Sequence, residues 1–226
     1  MTETINKFNN SRTYHLRGAV TDETVDQIVK NILAHNNEDE GKDYHSREPI
    51  HLSIETYGGG VNEGLSLVST ILSSQTPVYT YCRGRAMSMG FILFVAGHQR
   101  FMARFATLMF HSASATYGGK METIEKNLEQ GQKLTRALMK ITTETTNIPE
   151  DKLEHYLERK EEWYIDSEEA LKYGMTDVIL DEFRTRNRED HEKPQPPKKV
   201  VEKKSKKVKN LEGDEDLTFV KKLGEE

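Results

Sequence analysis

A serine placed between small residues is the first candidate for chemistry in this chain. Ser88 lies in the segment Gly-Arg-Ala-Met-Ser-Met-Gly at residues 84–90, between apolar runs at residues 78–82 and 91–96. A strand that turns sharply into a helix at a serine exposes the hydroxyl, and the first helical N–H groups are then free to bind a developing oxyanion. The pattern predicts a nucleophile at Ser88, with a plain helix N-cap as the structural alternative.

A histidine in a matching position is the second candidate. His111 follows the apolar run Leu-Met-Phe at residues 108–110, which predicts a strand. An imidazole at the end of a strand can take the proton of a neighbouring serine and return it to a leaving amine. A histidine satisfied by backbone groups is the alternative, and the pairing with Ser88 favours the catalytic interpretation.

Three consecutive glycines at residues 58–60 follow the predicted strand at residues 50–54. Glycine lets a backbone N–H approach a substrate closely, as an oxyanion donor must, and a tight strand–helix turn is the alternative. A phosphate-binding loop is excluded because the Gly-Lys-[Ser/Thr] ending of that motif is missing.

Alternating strands and helices must position these groups. Short apolar strands at residues 14–20, 50–54, 78–82, 108–110 and 178–180 alternate with amphipathic segments, of which residues 121–145 form the longest. This order predicts an α/β fold with a mainly parallel sheet. The polar, acidic stretch at residues 35–48 is expected to be a mobile loop.

Composition excludes several classes of function. The net charge of −5 disfavours general nucleic-acid binding, and no apolar run approaches the roughly 20 residues that span a bilayer. Cys82 is the only cysteine, which excludes an intrachain disulfide and fits a reducing compartment. No histidine pair has the spacing of a metal motif. We therefore expect a cytoplasmic protein that needs neither metal nor cofactor and binds neither nucleic acid nor membrane.

The composition changes from residue 184 onward. A proline cluster and a lysine-rich run precede an acidic patch and the short apolar island Leu-Thr-Phe-Val at residues 217–220. Such a segment buries too little apolar surface to offset its ordering entropy, so residues 184–226 are expected to be a disordered tail. The tail either docks on a partner or only aids solubility.

Taken together, the motifs resemble those of the proteolytic subunit of the Clp protease, a self-compartmentalised serine peptidase. The matching elements are the glycine cluster and valine at 58–61, Gly-x-Ala-x-Ser-Met-Gly at 84–90, Ala-Gly at 96–97, Met-Phe-His at 109–111, Gly-Gly at 118–119, and Glu-Glu-Ala-x-x-Tyr-Gly-x-x-Asp at 168–177. The resemblance covers a domain at residues 13–183, with residues 1–12 as a short flexible N-terminus. It implies stacked ββα units of the Clp protease and crotonase type, with residues 121–145 as a protruding handle helix.

The resemblance also assigns roles. It implies Ser88 as nucleophile, His111 as base, and the N–H groups of Met89 and of Gly60 or Gly59 as the oxyanion hole. The third triad member of the family is an aspartate, and counting back from Ala170 puts Glu162 in its place, with Glu161 as the alternative. Glutamate can orient a histidine as aspartate does.

The family also assembles as stacked rings, usually heptameric, around a chamber that a partner ATPase of the AAA+ class feeds with unfolded polypeptide. His51 and Ser53 stand where family members often carry the aromatic residues that receive the ATPase. The family's Asn-Ser-Pro-Gly-Gly turn reads Glu-Thr-Tyr-Gly-Gly-Gly at residues 55–60. These departures leave the ATPase partner and the register of the oxyanion glycine open.

The sequence thus predicts a serine endopeptidase that cleaves unfolded or flexible polypeptides through an acyl-enzyme on Ser88, inside a homo-oligomeric chamber. One alternative is a catalytically silent ring subunit, which the glutamate at the third triad position suggests. The other is a crotonase-type acyl-CoA enzyme, which needs no serine–histidine pair.

Overall fold

The computed structural model describes residues 10–113 and 118–180. Most of the expected N-terminal extension (residues 1–12) and the whole expected tail (residues 184–226) lie outside the described residues. The strands are β1 (Thr13–Arg17), β2 (Ile50–Glu55), β3 (Val78–Cys82), β4 (Arg85–Met87), β5 (Gln99–Ala103), β6 (Thr107–Phe110), β7 (Trp163–Ile165) and β8 (Val178–Leu180). The α-helices are α1 (Asp22–Glu38), α2 (Val61–Ser73), α3 (Met89–Val95), α4 (Met121–Thr145), α5 (Glu150–Arg159) and α6 (Ser167–Lys172).

The strands form two sheets. The larger one has five parallel strands in the order β1-β2-β3-β5-β8. The smaller one has the order β4-β6-β7, with β4 parallel to β6 and β7 antiparallel to it. The predicted α/β class with a mainly parallel sheet is confirmed.

The core follows from the two periodicities of the sequence. Alternate residues of β2, namely Ile50, Leu52 and Ile54, are fully buried, as the period of 2 in a strand requires. All residues of α3 are buried, so this helix is apolar on every side. Each fully buried aliphatic or aromatic side chain stabilises the fold by roughly 1.5–3 kcal/mol. The small sheet and the β4–α3 junction therefore rest on a buried apolar core.

The helix α4 has the limits that its apolar periodicity predicts. Three strands were missed: β4 and β7, which have only three residues each, and β5, which begins with the polar pair Gln99 and Arg100. Asp166 caps α6, because its carboxylate accepts from the N–H groups of Glu168 and Glu169, whereas the Ser167 hydroxyl donates to the Arg104 carbonyl.

The prediction of a mobile loop at residues 35–48 is wrong at its start. Helix α1 continues to Glu38, and the next residue, Asp39, has a fully buried carboxylate. Arg12 donates to both Asp39 oxygens, at 2.7 and 3.0 Å, and Lys42 and Thr76 donate to the same carboxylate. The hydrogen bond from Arg12 holds the pKa of Asp39 well below its usual range. This buried pair ties the end of α1 to the residue that precedes β1.

Replacing the arginine tests this attachment. We expect Arg12→Leu to lower the free energy of unfolding by about 3 kcal/mol, because it removes the buried cation that binds both Asp39 oxygens and leaves the carboxylate with only Thr76 and the half-exposed Lys42. Lys30→Ala, which removes the exposed Lys30–Asp26 pair, should cost no more than about 0.5 kcal/mol. Denaturant titration of the three proteins measures both effects.

The same comparison has a defined pH dependence. Folding lowers the pKa of Asp39, so the pair stabilises the fold above the unfolded-state pKa of about 4 and this contribution is lost as the pH falls. The difference between wild type and Arg12→Leu should therefore shrink in acid. A difference that grows in acid would contradict the assignment.

Candidate active site

Ser88 occupies a strained backbone position at the junction of β4 and α3. Its φ is 55° and its ψ is −122°, a combination that the first central residue of a type II′ turn adopts and that normally favours glycine. Such a conformation costs about 1–3 kcal/mol and persists only where the surroundings impose it. The Ser88 N–H donates to the Met109 carbonyl oxygen at 2.8 Å, which fixes the turn to the end of β6.

The Ser88 hydroxyl points to histidine and does not cap the helix. No hydrogen bond joins this side chain to the first turn of α3, and Ser88 Oγ lies 2.8 Å from His111 Nε2. The parallel pairing of Met87 with Met109 brings the residues that follow them to the same end of the small sheet. With Nε2 unprotonated, the hydroxyl donates to the imidazole, which is the geometry of a nucleophile with its general base.

Gly58 is the glycine that packs against the serine. Its φ is 109°, and a Cβ built on it would lie 2.7 Å from Ser88 Cβ and 3.0 Å from the Met87 carbonyl oxygen. Gly58 donates its N–H to Thr56 Oγ1 at 2.9 Å. Only a residue without a side chain fits at this position beside the nucleophile.

Gly59 and Gly60 differ in whether their backbone N–H groups are hydrogen-bonded. Gly60 donates to the Val20 carbonyl oxygen at 2.8 Å, so the expectation that its N–H is an oxyanion donor does not agree with this arrangement. Gly59 lies opposite Val20 in a parallel bridge, and a residue in that position turns its own N–H away from the partner strand. Neither the Gly59 N–H nor the Met89 N–H has a hydrogen-bond acceptor within residues 10–113 and 118–180.

Glu162 lies next to the histidine in register but does not contact it. Strand β7 pairs with β6 so that Trp163 faces Phe110, and one further step places Glu162 opposite His111. Glu162 is exposed, and its carboxylate accepts a hydrogen bond of 2.6 Å from the Tyr164 hydroxyl. This contact raises the pKa of Tyr164. Glu161, the alternative, lies 3.6 Å from Arg159.

An apolar pocket opens beside the serine and histidine. Its apolar lining consists of Val61, Met89, Ile92, Phe110, Ala113 and Leu138. Sequence analysis did not assign this pocket. The only signal for it was the apolar face of the long helix, because Leu138 belongs to α4 and reaches the site through tertiary packing.

The two candidate docking positions lie on β2. His51 Nδ1 is 2.8 Å from the Tyr81 hydroxyl, and burial lowers the pKa of this histidine. Ser53 pairs with His15 of β1 and with Tyr81 of β3.

The described residues include no group of three or more His, Cys, Asp or Glu side chains that could hold a metal ion. Among the helices of this part of the chain, none combines the length and the apolar character that crossing a bilayer requires.

The fold and the paired side chains place the chain in a class of α/β proteins that present a serine at a strand–helix turn next to a histidine. A family model described as Clp protease matches residues 1–183, so the chain belongs to the Clp protease family. It is also 34% identical over 139 residues to the ATP-dependent Clp protease proteolytic subunit of Deinococcus radiodurans, with 61% of this chain and 67% of that protein covered.

These comparisons confirm the predicted family and a peptidase of the Clp type. Proteins of this family generally form oligomeric rings.

The contact between Gly58 and Ser88 provides a test of the site. Gly58→Ala should reduce peptidase activity by at least about 100-fold, because the added methyl group would displace the nucleophile or the Met87 carbonyl. Gly60→Ala is the control: its φ is −60°, and its added Cβ would meet only the flexible Glu63 side chain. Activity assays combined with thermal melting separate loss of the site from loss of the fold, and an active Gly58→Ala protein would contradict this geometry.

Proposed function

We propose that the chain is a serine endopeptidase that hydrolyses unfolded or flexible polypeptides through an acyl-enzyme on Ser88. The observation that carries the proposal is the 2.8 Å contact between Ser88 Oγ and His111 Nε2, at a turn where the hydroxyl makes no capping bond. Membership of the Clp protease family favours peptidase chemistry over the acyl-CoA alternative.

The first half-reaction would form an ester on the enzyme. Ser88 Oγ attacks the carbonyl carbon of the scissile bond while His111 Nε2 takes the hydroxyl proton. Collapse of the tetrahedral intermediate breaks the C–N bond, and the proton on His111 passes to the leaving amine. A water molecule then attacks the ester with His111 as base again, which releases the second product and restores the Ser88 hydroxyl.

The negative charge on the substrate oxygen would be stabilised by two backbone donors. The Met89 N–H is the first of α3 and follows the nucleophile directly, and the Gly59 N–H points away from Val20. Both are free of acceptors within the described residues, so they need not break a hydrogen bond to bind an oxyanion. A pair of donors in this position supplies the largest single stabilisation in acyl transfer.

Glu162 would be the third member of the triad. The register of β6 and β7 supports this role, because residues directly opposite each other in an antiparallel pair have Cβ atoms about 4.5–5.5 Å apart. From there a carboxylate can accept the Nδ1 proton of His111 and stabilise the imidazolium that forms during acylation.

The apolar pocket would hold the side chain on the acyl side of the scissile bond. Its walls carry aliphatic, thioether and aromatic groups, and its polar mouth is the Ser88–His111 pair. Apolar side chains of moderate size gain most from leaving water there. In this structure the pocket has room for about one water molecule, so an apolar side chain would have to widen it on binding.

Assembly into stacked rings, heptameric as the resemblance implies, is part of the proposal. Helix α4 exposes large apolar side chains, with Met121 69% and Leu128 53% accessible. A partner subunit would cover this surface and enclose the site in a chamber. The proposal includes a location in the cytoplasm, and an ATPase that delivers substrate would have to dock without the aromatic residues that His51 and Ser53 replace.

The nucleophile can be tested by covalent labelling. A fluorophosphonate probe should modify Ser88 in the purified oligomer, and mass spectrometry locates the modified peptide. Ser88→Ala should lose labelling and lower peptide turnover on the order of 10⁴-fold or more, and His111→Ala should do the same. Ser112→Ala, which removes the hydroxyl next to the histidine, is the matched control and should keep both.

Turnover that survives in Ser88→Ala would refute the assignment of the nucleophile. Absence of labelling in a wild-type protein of verified ring size would favour the catalytically silent subunit instead.

The role of α4 in assembly can be tested by the size of the particle. Replacing Met121 and Leu128 together by serine should dissociate the stacked rings, because it removes the apolar surface that we assign to the contact. Lys126→Gln, an exposed change on the same helix, should leave the particle intact. Sedimentation velocity measures both, and an unchanged size of the double variant would place the contact elsewhere.

A further inference from the structure

The carboxylate assigned to the triad is bonded to one hydrogen-bond donor, Tyr164, and the register of β6 and β7 points to His111 as a second. The β6–β7 pairing ends with Phe110 opposite Trp163, and continuing that register by one residue would set Glu162 opposite His111. Tyr164 is two residues further along β7, and residues i and i+2 of a strand project from the same face. His111 and Tyr164 are therefore the two neighbours between which the Glu162 side chain can choose.

In this structure the carboxylate is bound to the tyrosine. The Tyr164 hydroxyl donates to Glu162 Oε2 at 2.6 Å, the short distance typical of a bond to a charged acceptor. Within residues 10–113 and 118–180, no other group is hydrogen-bonded to this carboxylate, and His111 is bonded only to Ser88. The ordinary pKa of tyrosine lies near 10, so the phenol is protonated and remains a donor at neutral pH, and the carboxylate raises that pKa further.

We propose that Tyr164 is a positioning residue that limits catalysis by competing with His111 for the Glu162 carboxylate. When Glu162 is bound to Tyr164, the imidazole lacks the partner that stabilises its protonated form in the transition state. When Glu162 rotates to His111, the triad is complete. The inference rests on the proposed function, since it assumes that His111 is the general base.

The competition acts on the chemical step and not on substrate binding. Tyr164 lies on β7, two residues after Glu162, and it does not line the apolar pocket. Loss of its hydroxyl therefore changes kcat while KM stays the same. Because the competition is for the Glu162 carboxylate, the Tyr164 hydroxyl should have no effect when that carboxylate is absent.

The decisive variant is Tyr164→Phe, which removes the hydroxyl and keeps the ring. We expect kcat for peptide hydrolysis to rise by about 3- to 10-fold with an unchanged KM, as is reasonable for one exposed hydrogen bond to a charge. In a Glu162→Gln background the same substitution should have no effect on kcat, which a double-mutant cycle measures. Tyr156→Phe is the matched control: its ring stacks on Trp163, its hydroxyl has no partner within the described residues, and its kcat should equal that of wild type.

A Tyr164→Phe protein with unchanged or lower kcat would overturn the inference, as would an equal rise in the Glu162→Gln background. Fluorophosphonate labelling of wild-type Ser88 is measured in parallel: labelling without a Tyr164 effect refutes the competition and leaves the proposed function standing. Crystal structures of wild type and Tyr164→Phe give a test that needs no turnover. Glu162 should move to within about 3.2 Å of His111 Nδ1 in the variant, and a carboxylate that stays away from His111 contradicts the inference.

Discussion

The site depends on one backbone hydrogen bond, from the Ser88 N–H to the Met109 carbonyl oxygen at 2.8 Å. It joins the catalytic turn to β6 and holds Ser88 at a φ of 55°, a conformation that an L-residue leaves unless it is held. Because β6 continues directly into His111, the same bond sets the distance between hydroxyl and imidazole. A relaxed backbone at Ser88 would aim the hydroxyl elsewhere, so the strain is part of the site.

The strained backbone at Ser88 is tolerated because residues pack closely on both sides of this turn. Helix α3 is buried along its whole length and anchors the C-terminal side of the turn. Gly64 accommodates the Met89 side chain, and Gly90 accommodates the methyl group of Thr56. A Cβ at Gly64 would overlap the Met89 side chain, and one at Gly90 would overlap the Thr56 methyl group, so both glycines allow close packing around the turn.

Glu162, the candidate third member of the triad, shows what a strand register does not determine. Register determines which residues face each other, and it places Glu162 opposite His111 with little freedom. Register does not determine which donor a long, exposed side chain selects. That choice depends on the difference between two surface hydrogen bonds, which is small compared with the energies that hold the core. In this structure the neighbouring Tyr164 hydroxyl is the donor that Glu162 binds.

The sequence by itself determined the alternation of strands and helices, the limits of α4, and the pairing of Ser88 with His111. These follow from local periodicity and from residue types that few structural roles require together. It did not determine which glycine touches the nucleophile, that Gly60 is bonded to Val20, that Asp39 is buried, or that Leu138 lines the pocket. Those features depend on contacts between residues far apart in the chain, and only the packed tertiary structure decides which donors and side chains meet.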